Sequence, residues 1–177
     1  MSDTVTAFAP ASIGNVGVGF DMLGLALAGG AGDTVIATRS EAPGIAVAEV
    51  RGLDGEIHPY LSTDAKENTA SIAAQALWDA AGAAGGASLK VHKGVPLQSG
   101  MGSSAASAVA AVVAVNALLD EPLRHQELLP YALEGEKYAS GGLHADNVAP
   151  SLLGGLILCP TVLLPEIVRL PVPAGVS

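Results

Sequence analysis

The sequence predicts an α+β domain, a mixed sheet with helices packed on it. Three observations carry the prediction. Half of the 177 residues are apolar, enough for a substantial core in one domain of ordinary size. Strand-like and helix-like segments mix without the regular strand–helix–strand alternation of a doubly wound sheet. A helix candidate from about Gly102 to Leu119 is apolar on nearly all sides and has to be buried. Only 3% of residues are aromatic, so small side chains fill the core and the helices must pack closely.

The elements follow in order. Val5 to Ala9 reads as a strand, stopped by Pro10. "SIGNVGVGFD" (Ser12 to Asp21) is a glycine-punctuated loop. Met22 to Ala28 is apolar and fits strand or helix; "AGGAGD" then turns the chain. Thr34 to Arg39 and Ile45 to Val50 look like a pair of β-segments with a turn at "EAPG". Asn68 to Ala83 is a helix, with Ile72, Ala76 and Ala80 on one face and Asn68 as N-cap. Trp78 reads as a core or rim residue. Leu89 to His92 is a short strand. "LDEPLRHQEL" breaks the long apolar helix, and Glu127 to Tyr138 forms another. "SGGLHADN" is a loop, and Leu152 to Cys159 a glycine-kinked strand leading into a proline-rich tail.

Charge and cysteine usage exclude several function classes. Eight basic residues face 17 acidic ones, for a net charge of −9. No basic stripe suited to nucleic acid is visible, and an acidic surface argues against anionic membranes. A phosphate ligand would have to rely on backbone amides and a divalent metal. Cys159 is the single cysteine, so no intrachain disulfide or cysteine-pair metal site can form; it reads as a small buried hydrophobe. His58, His92 and His125 show no metal-ligand spacing. The N-terminus lacks a basic stretch followed by an apolar one. The longest apolar run, Ala105 to Leu119, falls short of the roughly 20 residues of a membrane span. A soluble, reduced, cytoplasmic protein is expected.

"PLQSGMGSS" (Pro96 to Ser104) immediately precedes the apolar helix. Helix N-termini carry free N–H groups and partial positive charge. Glycines let the backbone approach an anion closely. Ser103 and Ser104 open the helix, with hydroxyls placed for a phosphate oxygen or a metal. The common P-loop needs Lys before Ser/Thr at the helix start, and Gly102 stands there instead. On these residues alone, phosphate binding and a tight turn capping a buried helix both remain open.

"PLQSGMGSSAASA" resembles the phosphate-loop motif of the GHMP small-molecule kinases, with Met101 in the usual leucine position. "APASIGNVGVGFDMLGLAL" (Ala9 to Leu27) is similar to the N-terminal signature of the homoserine kinases. "GEKYASGGLHADNVAPSLLGG" (Gly135 to Gly155) is similar to a second substrate segment of the same family. The resemblance implies the GHMP N-terminal fold, of the ribosomal protein S5 domain 2-like type. It implies ATP- and Mg²⁺-dependent phosphorylation of the side-chain hydroxyl of L-homoserine, a step on the route to threonine. Pro96, Leu97, Gln98, Ser99, Gly100, Met101, Gly102, Ser103, Ser104, Ala105 and Ala106 would wrap the ATP phosphates. Ser104 and Glu136 would reach the metal; Glu134, two residues from Glu136 on a helix, faces another way. Asn15, Asp21 and His144 match substrate-binding positions, with Asp21 suited to the substrate ammonium. Asn147 and Asp146 match catalytic positions. Asn68 as an adenine contact is a weaker alternative to its cap role.

The resemblance also sets expectations about extent. Residues 1–165 would form the ATP-binding domain, and 166–177 would begin the connection to a C-terminal domain that the chain lacks, as a fragment or a truncated product. The arginines expected to clasp the substrate carboxylate are absent. The pocket would then be open on one side, turnover weak or absent, and nucleotide binding retained. An apolar face and a sheet edge would be exposed, inviting a homodimer. Alternatives are a sister GHMP kinase of mevalonate or shikimate type, or a non-catalytic domain retaining the fold.

Overall fold

The computed structural model describes residues 3–172; the last five residues of the expected C-terminal connection lie outside them. The first sheet contains β1 (Thr4–Pro10), β4 (Gly32–Ser40), β6 (Gly86–His92) and β5 (Gly44–Arg51) in that spatial order. β1–β4 and β4–β6 are antiparallel, and β5–β6 is parallel. β4 and β5 are therefore not hydrogen-bonded to each other, although a short turn joins them. β5 continues through α1 (Thr69–Ala80) into β6, which inserts between the two. A parallel neighbour needs such a crossover, which the local turn signal at "EAPG" could not reveal.

Alternation along these strands sends Val35, Ala37, Leu89 and Val91 to one buried face. On β5 the register shifts between Val47 and Glu49, so that Val47 and Val50 both reach the core. The helices cover this face. α2 (Ser103–Asn116) is buried on nearly all sides, as its composition predicts. Close packing depends on small residues: a Cβ added at Gly135 would lie 2.5 Å from the Thr69 carbonyl oxygen and 3.0 Å from Ala108 Cβ. Trp78 is a core residue whose Nε1–H donates to the Gly85 carbonyl at 3.2 Å.

The second sheet orders β2 (Ser12–Ile13), β3 (Leu23–Ala26), β7 (Leu156–Leu158) and β8 (Val168–Leu170), all antiparallel. The ambiguous segment from Met22 thus resolves as strand. In register, Ile13, Leu25, Leu156 and Leu170 form one apolar row across this sheet, and all four are at least partly exposed.

Two expectations near the C-terminal end are corrected. A 3₁₀ turn at His125–Leu128 precedes α3 (Leu129–Ser140), with Pro130 in the first helical turn, where its missing N–H costs nothing. α4 (Ala145–Leu153) occupies the latter part of the expected loop and the start of the expected strand. Pro150 inside it masked the helix. Proline removes the N–H that would bond the Asp146 carbonyl. Gly24 of β3 lies against that carbonyl: a Cβ there would come within 1.5 Å of it. No helix among the described residues is long and apolar enough to cross a membrane.

Candidate active site

The chain between β6 and α2 makes a collar of alternating left-handed residues. Gln98, Gly100 and Gly102 have φ of 57°, 73° and 65°. Such a turn aims successive N–H groups into one concavity. Ser99 braces it, its Oγ donating to the Pro96 carbonyl at 2.8 Å and accepting from Met101 N–H at 3.3 Å. Ser103 Oγ donates to the Val95 carbonyl at 3.0 Å and closes the base. Among the described residues, no protein acceptor takes the amides of Gly100, Gly102, Ser103 or Ser104. A Cβ at Gly100 would meet nothing within 4 Å, so the collar faces open space there. A groove of about 480 Å³ runs along it, lined also by Gly14, Asn15 and Asn147. This is the arrangement of a helix N-terminus offered to an anion.

Ser104 connects the collar to α3. Its hydroxyl donates to Glu136 Oε2 at 2.8 Å. Glu136 is only 7% exposed. Burial pushes its carboxyl above the ordinary range, and the Ser104 hydrogen bond pulls the other way. Glu134 is exposed and pairs with Lys137 at 3.8 Å, so only Glu136 of the two reaches the collar, through Ser104.

The residues of the two outlying motifs converge beside the collar. The loop between β2 and β3 is pinned to the start of α4, where Asn15 N–H donates to Asp146 Oδ2 at 2.8 Å. Asp21 N–H donates to Asn15 Oδ1 at 3.0 Å, and both residues hold φ near 55°. His144 Nδ1 stands 3.4 Å from Asp21 Oδ1. Ser12 Oγ lies 3.1 Å from Asn147 Oδ1 and 3.0 Å from its carbonyl oxygen. Gly14 leaves room for the two α4 side chains: a Cβ there would be 2.2 Å from Asp146 Oδ2 and 2.6 Å from Asn147 Nδ2. Asp146 itself is 2% exposed.

Residues 68–155 match the family model described as "GHMP kinases N terminal domain". The chain carries a GHMP kinase N-terminal domain. Its similarity to known proteins extends beyond the matched residues. A homoserine kinase of Xylella fastidiosa strain M12 is 49% identical over 153 residues, covering 86% of this chain and 46% of that protein. One from Chlorobium phaeobacteroides strain DSM 266 is 40% identical, covering 96% and 55%. The crystal structure of homoserine kinase from Cytophaga hutchinsonii superposes with a TM-score of 0.88 at 43% identity, covering 98% of this chain and 54% of that one. A mevalonate kinase from Methanococcus jannaschii, at 15% identity and a TM-score of 0.69, shares the fold. The chain spans about half the length of the curated relatives it matches.

The structure adds residues of this GHMP domain to which sequence alone assigns no site role, some of them inside the motifs. A second cavity of about 270 Å³ adjoins the groove, sharing Leu97, Ser104 and Ala139 with it and walled by Val50, Leu61 and Tyr138. Asn68 lines this cavity, but its carboxamide is spent on capping: Oδ1 accepts from Ala70 N–H at 3.0 Å and Nδ2 donates to the Ser62 carbonyl at 2.9 Å. Ser12 is buried and touches both halves of the site, since its N–H also donates to the Met101 carbonyl at 3.1 Å. Lys93 and Asp33 lie buried beneath the collar. One sequence signal points to them. Strand alternation puts Lys93 in phase with Leu89 and Val91, and Asp33 in phase with Val35, so each places a charge where an apolar residue belongs.

Proposed function

We propose that this domain binds ATP along the collar and serves the transfer of its γ-phosphoryl group to the side-chain hydroxyl of L-homoserine, giving O-phospho-L-homoserine. One observation carries the reading. A single groove brings a glycine collar at a helix N-terminus, a hydroxyl–carboxylate pair and the Asn147 carboxamide together. The similarity to homoserine kinases along most of the chain supports the choice of acceptor.

The geometry supports the following roles. The amide N–H groups of Gly100, Gly102, Ser103 and Ser104 donate to phosphate oxygens, and the α2 dipole favours their charge. The adjoining cavity is the place for the nucleoside. Ser104 and Glu136 are the oxygen pair suited to Mg²⁺. Among the described residues no cluster of three or more His, Cys, Asp or Glu could hold a metal. Mg²⁺ asks for less, since it takes one or two protein ligands together with phosphate oxygens and water. When bound, it would neutralise charge building on the transferring group.

Asp21 offers its carboxylate to the homoserine ammonium, with His144 beside it. Asn147, held by Ser12, orients the acceptor hydroxyl. Asp146 anchors the Asn15 loop and is the candidate to receive the hydroxyl proton. Phosphoryl transfer demands alignment and charge neutralisation more than covalent help, and these groups are of the kinds that supply both.

The test is calorimetry of the chain with Mg²⁺-ATP, followed by ³¹P NMR after addition of L-homoserine. Saturable nucleotide binding is expected, with at most a slowly growing phosphomonoester resonance. A chain that binds no Mg²⁺-ATP contradicts the reading at its base.

A further inference from the structure

A buried ion pair lies under the collar, and the phosphate-binding roles above do not use it. Asp33, at the start of β4, is 0% exposed; Lys93, one residue past β6, is 7% exposed. Lys93 Nζ donates to Asp33 Oδ2, to the Ser103 carbonyl at 2.8 Å and to Ser107 Oγ at 2.7 Å. An ammonium has three donors, and all are taken by the protein. The Ser107 hydroxyl donates in turn to Asp33 Oδ2 at 2.6 Å. Asp33 Oδ1 accepts from Gly94 N–H at 2.9 Å and Val95 N–H at 3.2 Å.

Such a network adds little to stability compared with apolar side chains of similar volume. Burial even holds the Lys93 ammonium below the ordinary lysine range, against the attraction of Asp33. What the network does is join two places. Gly94 and Val95 lead into Pro96, where the collar begins. Ser103 and Ser107 belong to the first turns of α2, where it ends.

We infer that Asp33 and Lys93 are positioning residues that clamp both ends of the collar, so that its amides already converge before a phosphate arrives. The inference rests on the nucleotide reading of the groove. Its physical basis is preorganisation: donors fixed in advance need no ordering when the anion binds.

The test uses the whole chain and the double variant Asp33→Asn with Lys93→Met. The introduced asparagine can still accept from Gly94 and Val95 and donate to Ser107. The methionine fills the lysine volume. What is lost is the grip on Ser103. Two readings are taken: calorimetry with Mg²⁺-ATP and with adenosine, and hydrogen exchange of residues 96–104 without ligand. Adenosine should reach the cavity but not the collar.

The expected result is a cooperatively folded variant with faster collar exchange and, because Lys93 also lines the nucleoside cavity, an adenosine affinity that changes less than that for Mg²⁺-ATP. Its Mg²⁺-ATP affinity should fall by about tenfold, the equivalent of about 1.4 kcal/mol. Lys93→Met alone leaves Asp33 unpaired and should lose more; if it does not fold, the double variant decides. A folded double variant with wild-type collar exchange overturns the clamp. So does an equal loss for ATP and adenosine, which would mark a general structural role. A wild-type chain that binds no nucleotide would instead overturn the reading of the groove, and collar exchange would still decide the clamp.

Discussion

Ser104 and Glu136 meet where α2 packs on α3, the serine hydroxyl donating to Glu136 Oε2 at 2.8 Å. One side chain comes from the end of the collar and the other from a helix distant in sequence, so the pair ties the loop to the body of the domain. If the pair receives the cation of Mg²⁺-ATP, Glu136→Gln removes the charged ligand and keeps the shape. The variant should bind Mg²⁺-ATP at least about tenfold more weakly, about 1.4 kcal/mol, and metal-free ATP as well as the parent does. Calorimetry with and without Mg²⁺ reads the difference. Equal losses in both would remove Glu136 from the metal site.

The same carboxyl sets a pH dependence of the ligand-free chain. Burial raises the folded pKa of Glu136 above its unfolded value. Between the two values the folded chain binds more protons than the unfolded one, so stability falls as pH rises through that window. The contribution is fully present below the unfolded value and is lost above the folded one. Denaturation midpoints from about pH 4 to about pH 8, spanning the ordinary carboxylate range and above, should decline less steeply for Glu136→Gln than for the parent. Identical slopes would show that Glu136 does not titrate abnormally.

Cys159 should be chemically silent in the folded chain. It is buried, and its Sγ lies 3.2 Å from the Met22 carbonyl oxygen. Burial, followed by the nearby Asp146 charge, pushes the thiol up to about 12. Only thiolate reacts, so at pH 8 the native thiol should react with an aromatic disulfide about a thousandfold more slowly than after denaturation. Rapid native labelling would mean that the β3–β7 region opens locally.

Much of this was legible in the chain, and the misses have physical causes. The largely apolar composition of α2 announced the burial of that helix, while the glycines before it left an anion collar and a capping turn both open. The convergence of Asn15, Asp21, His144, Asp146 and Asn147 came from motif resemblance, because nothing in local patterning tells a loop which distant helix it will touch. β4 and β5 looked like neighbours because turn signals are local, whereas the β6 insertion depends on a long crossover. α4 was hidden by Pro150, whose cost falls on a carbonyl that β3 approaches through a glycine. Lys93 and Asp33 are the instructive miss: their phase on apolar strands was readable, but only the folded chain shows that their partners are the two ends of the collar.

Gly100 and Gly102 should separate two reasons for needing glycine. Both have positive φ, of 73° and 65°. At such a conformation alanine costs roughly 1–2 kcal/mol for the left-handed backbone alone. At Gly100 that is the whole expectation, because the added Cβ meets open space. At Gly102 the Cβ would also come within 2.4 Å of Ser12 Oγ and 2.9 Å of Asn147 Oδ1. Gly102→Ala should therefore be the less stable variant, and its excess loss should come from the Ser12–Asn147 contact. For a chain of this size each kcal/mol moves the melting temperature by roughly 2–4 °C. A second substitution, Ser12→Ala, should recover part of the Gly102→Ala loss by removing the clashing oxygen, and should do nothing for Gly100→Ala. If the two glycine variants melt together, or if Ser12→Ala helps both equally, then the collar does not seat against Ser12 and Asn147 as described.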